Sequence, residues 1–548
     1  MDFNWIKKIN KLYISLFITL FVFMSLKSWA MAACSIIELM FLFILCEKVA
    51  QHNKRLGYWL NVVLLFIFFA QVLVYYFTGE FISKLMLENV DMVSNLGDSL
   101  KRYVFAIVVL LLVLFMPLRG LEILREKGAF VQTLVLYIGS LLAANFYSPE
   151  MPTSPMRATT NLLTLYVKSV YTGQTLKETE KEQVLAYFHK EKIEGTNFKL
   201  SEQMPEKPNV ILIFTEGLSS EVLDVYNNLG LNLTPNLNDL HARSVVFDNY
   251  YNHTAATFRA LRGQLYSAYQ YKGGFENMKG LGEMHLDSLR KLTETKVYSL
   301  IDILRREGYK SVVFNTEPSN MNFTEYLKTL GSDTVVCGDA LGIRMRTDKE
   351  MYELMGDVLL ENQKDSVPYF YIFYNVGTHH GFDSPDLKYG DASNWQLNKF
   401  HNYDNEFGKF FKRMEKENVF ENTILVFTAD HATYPEPDYK SAFDSEQEGF
   451  ISKIPLFFYT KNCSHKIIDV KGRNSLDIAP TLLDVLGFED SENYFVGSSL
   501  LSEGSDMSRV CAIGDHVFIL EDGEIKRIKG KSEYRNIVMK NYAILLNE

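Results

Sequence analysis

Cysteine is scarce in this chain: there are five among 548 residues, and two of them, Cys34 and Cys46, lie inside long apolar runs. Cys337, Cys463 and Cys511 then allow at most one internal disulfide elsewhere, which excludes a disulfide-stapled scaffold. A basic excess is missing too, since 56 Lys and Arg stand against 66 Asp and Glu, a formal net charge of −10. With no basic footprint and no DNA- or RNA-binding motif, nucleic acid is not expected as a partner. Internal repeats and low-complexity tracts are absent as well.

Apolar residues, by contrast, crowd into the first 150 positions. Four runs there read as membrane spans: Ser28 to Cys46, Gly57 to Phe77, Tyr103 to Leu118 and Ala129 to Phe146. A fifth, Leu12 to Leu26, is short, but a span needs only about 17–25 mostly apolar residues and the flanks extend it. With Lys7, Lys8 and Lys11 before it and Ala30 to Ala33 after it, that run also fits a cleaved signal peptide. Four further spans make an uncleaved helix the simpler reading. Glu38, inside the second run, is costly in lipid and is expected to face other helices, as a structural contact or as part of a lipid-handling path.

Basic residues in the short connections set the orientation. Lys7, Lys8 and Lys11 precede the first span, Lys48, Lys54 and Arg55 follow the second, and Arg119, Arg125 and Lys127 follow the fourth; Lys101 and Arg102 are a minority exception. These loops are expected in the cytoplasm, so five spans deliver everything after about Tyr147 to the outer side of a cytoplasmic membrane. The expected organisation is a five-span helical bundle over 1–150, a helical linker over 151–206 that opens on a Pro-rich stretch, an α/β domain over 207–505 and a small antiparallel-strand subdomain over 506–548.

Within the α/β domain, short β-branched or aromatic runs alternate with helical segments, which predicts a mainly parallel sheet sandwiched by helices. Strands are expected at Val210 to Phe214, Ser311 to Phe314, Tyr369 to Asn375, Ile424 to Thr428 and Pro455 to Tyr459. Helices are expected at Thr234 to Ala242, Thr257 to Ala268, Ser299 to Glu307, Asn402 to Glu417 and Ile478 to Leu486. Near the end, Val510 to Ile513, His516 to Leu520 and Glu524 to Lys529 read as antiparallel strands, with Asp522-Gly523 as a hairpin turn.

In open α/β sheets, ligands collect beyond the carboxyl ends of the strands. Glu216, His379 and the pair Asp430-His431 each fall just past an expected strand. Two carboxylates, an imidazole and the hydroxyl of Thr257 make a ligand set for a divalent ion such as zinc or manganese, with magnesium a further option. Threonine is a weak nucleophile near neutral pH and needs a metal or base to favour its alkoxide. Thr257 also opens an expected helix, where free backbone N–H groups favour a phosphoryl group. Taken one at a time, a strand-end carboxylate is more often a turn residue, and such a threonine more often a helix cap. Their joint order along the chain favours the site. Arg259 and Arg262 are candidates to neutralise phosphate oxygens in substrate binding, or to form structural ion pairs.

From about Pro208 to Ser505 the chain resembles the alkaline phosphatase and sulfatase superfamily. With its apolar N-terminus it most resembles the lipoteichoic acid synthases and related phosphoglycerol transferases. The resemblance rests on the runs ending at Glu216 and at Asp430-His431, on His253-Thr-Ala-Ala-Thr-Phe-Arg259, on Thr234-Pro-Asn-Leu-Asn-Asp-Leu240, on Gly377-Thr-His-His-Gly-Phe382, and on Ser475-Leu-Asp-Ile-Ala-Pro-Thr-Leu-Leu-Asp-Val-Leu-Gly487. It implies a sulfatase-like fold, Glu216, Thr257, Asp430 and His431 as metal site and nucleophile, and His379 near the transferred or leaving group. It also implies a membrane-anchored phosphotransferase that moves phosphoglycerol from a phospholipid such as phosphatidylglycerol to an envelope glycan or glycolipid, through a phosphothreonine-type intermediate. Phosphoethanolamine transfer is the alternative. A sulfatase is disfavoured because position 257 holds neither the Cys nor the Ser that is converted to formylglycine, and a phosphodiesterase ranks with it. One departure stands out: Asn315 sits where the synthases carry a His, and no Trp-Asn-Arg cluster follows, which leaves the headgroup and acceptor open.

Overall fold

The computed structural model describes residues 10–78, 81–82, 87, 97–118, 128–147, 153–171, 178–270, 297–316, 322–337, 347–514, 516–528 and 532–545. The chain divides into two compact units, Met1–Gln174 with Pro435–Pro437, and Thr175–Tyr434 with Asp438–Glu548.

The first unit is helical, with helices Lys11–Ser25, Trp29–His52, Lys54–Thr78, Gly97–Leu114, Ala129–Tyr147 and Pro155–Tyr171. The first five lie on the five expected spans. Among the described residues, however, only Trp29–His52 and Lys54–Tyr76 are long and apolar enough to cross a membrane, while Lys11–Ser25 and Phe130–Ala143 are apolar but shorter. Length and composition therefore support two spans where the sequence reading expects five. Lys7, Lys8, Arg119, Arg125 and Lys127, which help carry the expected orientation, lie outside the described residues. Large apolar side chains point outward from the unit, among them Phe17, Trp29, Leu112 and Leu142. Such a surface is unfavourable in water and suits lipid.

Glu38 does face other helices. It is fully buried and accepts bonds from Ser154 Oγ and Met156 N, both at 2.8 Å. The amide of Met156 belongs to the first turn of Pro155–Tyr171, where backbone donors have no partner within their own helix, so the carboxylate satisfies that helix end from outside. Gln71 Nε2 adds a second tie to the same helix, at Thr159 Oγ1 (3.1 Å). Of the two readings for Glu38, the contacts describe the structural one.

The second unit is built on an eight-stranded sheet. Its strands are β1 (Asn209–Thr215), β2 (Val245–Asp248), β3 (Lys310–Asn315), β4 (Thr334–Val336), β5 (Tyr369–Tyr374), β6 (Thr423–Ala429), β7 (Leu456–Tyr459) and β8 (Lys466–Asp469), in the order β4-β3-β5-β1-β6-β7-β2-β8. The block from β4 to β6 is parallel, and so is the β2–β8 pair. β7 runs against both of its neighbours, which makes the sheet mixed but mainly parallel. β1, β5 and β6 are almost wholly buried, as expected of parallel strands covered on both faces. β2, β4 and β8 escape the sequence reading because each is only three or four residues long.

Helix Trp395–Lys416 begins seven residues before its expected start at Asn402, because Asn394 caps it by accepting from the amides of Gln396 and Leu397. Helix Asp348–Asn362 was not expected; a capping box between Thr347 and Glu350 starts it. At the C-terminal end β9 (Val510–Ile513), β10 (His516–Glu521) and β11 (Glu524–Arg527) form the expected antiparallel sheet. Its hairpin turns at Asp522 and Gly523, both at positive φ (52° and 79°), as a two-residue turn of this hand requires. A helix, Glu533–Leu545, follows that the sequence reading did not include.

Candidate metal centre

Register brings the acidic residues together. β1 pairs with β6 so that Thr215 stands beside Ala429, which places the next residues, Glu216 and Asp430, side by side at the carboxyl edge of the sheet. His431 follows. The three ligand atoms of Glu216, Asp430 and His431 lie within 4.8 Å of one another, in side chains that are almost fully buried. His431 Nε2 is 3.4 Å from Glu216 Oε1 and 3.5 Å from Asp430 Oδ2.

Thr257 reaches the same point from a helix. It is the first residue of Thr257–Tyr266, and its Oγ1 donates to Glu216 Oε2 at 2.8 Å. The N-cap is Ala256, which makes no side-chain cap, so the bland reading of Thr257 as a capping residue does not hold. Ala256 has φ 70° and ψ 134°, a conformation that a β-carbon disfavours by about 1–3 kcal/mol. Gln264 Nε2 ties the helix to the end of β6 by donating to the carbonyls of Ala429 (3.2 Å) and Asp430 (2.9 Å).

Each of the three acidic and imidazole groups has one atom held by the protein and one turned to the common point. Asp430 Oδ1 accepts from the amides of Gly217 (2.9 Å) and His431 (2.7 Å), while Oδ2 is buried without a hydrogen-bond partner among the described residues. His431 Nδ1 lies 2.8 Å from the carbonyl of Ala432, which can only accept, so Nδ1 carries a proton and the lone pair of the neutral imidazole is on Nε2. That Nε2 is likewise buried without a hydrogen bond. Glu216 Oε2 accepts from Thr257 and Tyr374.

The electrostatics agree. Burial, reinforced by the charge of Glu216, pushes the Asp430 carboxyl up to about 8. Burial acts on Glu216 in the same direction, but His431, His379 and the bonds from Tyr374 and Thr257 outweigh it and hold that carboxyl below its ordinary range. For His431 burial opposes protonation, yet Asp430 and Glu216 hold the imidazole above its usual value. Orphaned lone pairs and surplus negative charge directed to one buried point fit a divalent cation. Two carboxylates, an imidazole and a hydroxyl are a donor set suited to manganese or zinc.

His379 stands on the segment after β5. Its Nδ1 is 2.9 Å from the carbonyl of His380, which leaves the lone pair on Nε2, and burial lowers its pKa against the pull of Glu216. Arg259 and Arg262 are both buried, and the Arg262 guanidinium lies over the ring of Tyr266 on the same helix, 4.6 Å from its centroid. The sequence reading does not single out Tyr374, Asn375, Thr378 or Gln264. Tyr374 ends an aromatic run, Tyr369-Phe-Tyr-Ile-Phe-Tyr374, that looks like plain core.

The sulfatase family model matches residues 208–488, just over half of the chain. The lipoteichoic acid synthase-like protein YvgJ of Bacillus subtilis (strain 168) is 23% identical over 535 residues, covering 86% of this chain and 82% of its own. Lipoteichoic acid synthase 1 of the same organism is 22% identical over 511 residues, covering 84% and 77%. A crystal structure of the lipoteichoic acid synthase LtaP from Listeria monocytogenes aligns with 68% of this chain and 97% of its own, at 14% identity and a TM-score of 0.48. The match over the domain that carries Glu216, Thr257, Asp430 and His431 places the chain in the sulfatase family, and lipoteichoic acid synthases are among the proteins it resembles.

Proposed function

We propose that the chain is a membrane-anchored phosphotransferase that moves phosphoglycerol from an anionic phospholipid, of the phosphatidylglycerol type, to a hydroxyl of an envelope glycan or glycolipid. The observation that carries this reading is the 2.8 Å bond from Thr257 Oγ1 to Glu216 Oε2, inside a buried cluster in which Asp430 Oδ2 and His431 Nε2 have no hydrogen-bond partner among the described residues. Glu216, Thr257, Asp430 and His431 would hold one divalent ion, manganese or zinc. Such an ion lowers the pKa of a bound hydroxyl and balances charge on phosphoryl oxygens.

The remaining chemistry belongs to the side chains. Thr257 Oγ attacks phosphorus, the bond from phosphorus to the diacylglycerol oxygen breaks, and the Thr257 proton ends on that oxygen, so diacylglycerol leaves with the headgroup phosphate held on Thr257. An acceptor hydroxyl then attacks that phosphorus, the bond from phosphorus to Thr257 Oγ breaks, and the acceptor's proton ends on Thr257. The lone pair of His379 Nε2 is the base for the proton of the entering hydroxyl, because Nδ1 is committed to the carbonyl of His380. The N-terminal end of helix Thr257–Tyr266, where the positive end of the helix dipole lies, suits the phosphoryl oxygens.

Purified protein with Mn2+ and phosphatidylglycerol vesicles should release diacylglycerol and pass glycerol phosphate to an added glycolipid. Headgroup release from phosphatidylethanolamine vesicles alone would contradict the phosphoglycerol reading, and release of free glycerol phosphate regardless of acceptor would mark a hydrolase.

The same reading puts the catalytic domain on the outer side of the membrane, with the Lys54 loop in the cytoplasm. A reporter that is active only after export, fused behind Glu548, should be active. Activity of a cytoplasm-only reporter at that position would contradict an exported catalytic domain.

A further inference from the structure

β5 flanks β1 on the side away from β6, and in their parallel register Tyr374 stands beside Phe214. Side chains two residues apart on a strand share a face, so Tyr374 and Glu216 lie on the same side of the sheet, separated along it by about 6.6 Å. A phenol spans that gap. The hydroxyl of Tyr374 donates to Glu216 Oε2, the oxygen that also accepts from Thr257. Tyr374 is buried, and its ring packs on Phe323 at 4.8 Å; Phe323 in turn meets Phe258, the neighbour of Thr257, at 5.0 Å.

We propose that Tyr374 is a positioning residue that fixes which oxygen of Glu216 faces the metal. This rests on Glu216 being a metal ligand. A glutamate has two equivalent oxygens and a freely turning terminal torsion, so it presents a defined oxygen only when the other is tied. For Asp430 the tie comes from two backbone amides, and for His431 from the carbonyl of Ala432. Among the described residues Glu216 has no backbone donor in the corresponding role: its own amide donates to Asn375 Oδ1 and its carbonyl accepts from Thr378 Oγ1, which hold the main chain and leave the carboxylate to side chains. Thr257 ties Oε2 only while it keeps its proton. Once Thr257 carries the transferred group, Tyr374 is the donor that remains, and Oε1 stays beside Asp430 Oδ2 and His431 Nε2 through both half-reactions. Charge-assisted bonds of this kind are roughly twice as strong as neutral ones.

The test is Mn2+ titration of the metal-stripped full chain carrying Tyr374→Phe, which keeps the ring and its packing and removes only the hydroxyl. Mn2+ affinity should fall by about 10–100-fold, the usual loss on removing a partner that orients a metal ligand, while the metal-free melting temperature stays near that of the parent. Glu216→Gln serves as the reference and should lose Mn2+ binding outright. If Glu216→Gln loses Mn2+ but Tyr374→Phe binds it as the parent does, the positioning role is overturned and the metal site stands. If Tyr374→Phe lowers only the metal-free melting temperature, with affinity of the folded protein unchanged, the hydroxyl is merely structural and the proposal fails as well. If neither substitution changes Mn2+ binding, the metal-site reading itself is wrong.

Discussion

Thr257→Ala is expected to leave a folded, metal-binding protein that transfers headgroups up to roughly six orders of magnitude more slowly, the size of loss seen when a catalytic nucleophile is removed. The fold should survive because the hydroxyl makes one described bond, to Glu216 Oε2, and a hydrogen bond to a charged group contributes only about 1.5–3 kcal/mol. The helix does not depend on it as a cap, since the cap position is Ala256, and Gln264 anchors the same helix to β6 through two carbonyls. The turn at Ala256 points the same way. A residue held at φ 70° and ψ 134° costs free energy, and here the strained residue immediately precedes the hydroxyl that the site needs. Diacylglycerol release from phosphatidylglycerol vesicles, compared at equal folded concentration by circular dichroism, measures the effect. Parental turnover in a folded Thr257→Ala protein would leave direct attack by the acceptor as the better account.

The second large effect concerns Asp430→Asn and has opposite signs with and without metal. In the metal-stripped protein the Asp430 carboxyl sits at about 8 instead of its ordinary 3.8, so the folded state holds a proton that the unfolded chain releases. A carboxyl raised in this way makes folding less favourable as pH climbs from about 4 to about 8, where the unfolded state binds fewer protons than the folded one. The metal-free parent should therefore lose stability over that window, and Asp430→Asn, which does not ionise, should lose less. Asparagine keeps an oxygen for the amides of Gly217 and His431. Saturating Mn2+ should reverse the order: a ligand at a thousand times its dissociation constant stabilises by about 4 kcal/mol, and the variant forgoes most of this together with its turnover. Melting curves at pH 5 and pH 8, with chelator or with Mn2+, show both signs. An Asp430→Asn protein that gains as much from Mn2+ as the parent does would remove Asp430 from the ligand set.

The candidate site was legible where strand chemistry and strand ends coincide. Val210-Ile-Leu-Ile-Phe214 and Ile424-Leu-Val-Phe-Thr428 are buried parallel strands in sequence and in structure, and the residues after them meet because parallel register leaves them level. The order of the strands is not written in either run, so the sequence indicated that Glu216 and Asp430 share an edge but not that β1 and β6 are neighbours. Short strands such as Thr334–Val336 and Lys466–Asp469 form through pairing with a neighbour and carry too few residues to announce a period. Tyr374 and Gln264 were hidden for another reason. Each is an ordinary core or helix residue by pattern, and only the tertiary fold turns its polar end toward Glu216 or the end of β6. The first unit is the converse case, where the apolar runs located all five helices but did not fix how many of them have the length of a crossing.

Transfer through Thr257 requires that its hydroxyl become covalently loaded with the headgroup phosphate. Intact-protein mass spectrometry after brief exposure of the Mn2+-loaded protein to phosphatidylglycerol, with no acceptor present, tests it most directly. The expected result is a gain in mass equal to one glycerol phosphoryl group, located on the peptide that contains Thr257 and absent from Thr257→Ala. Diacylglycerol released at the parental rate with no adduct on any residue, or an adduct that persists in Thr257→Ala, would contradict it.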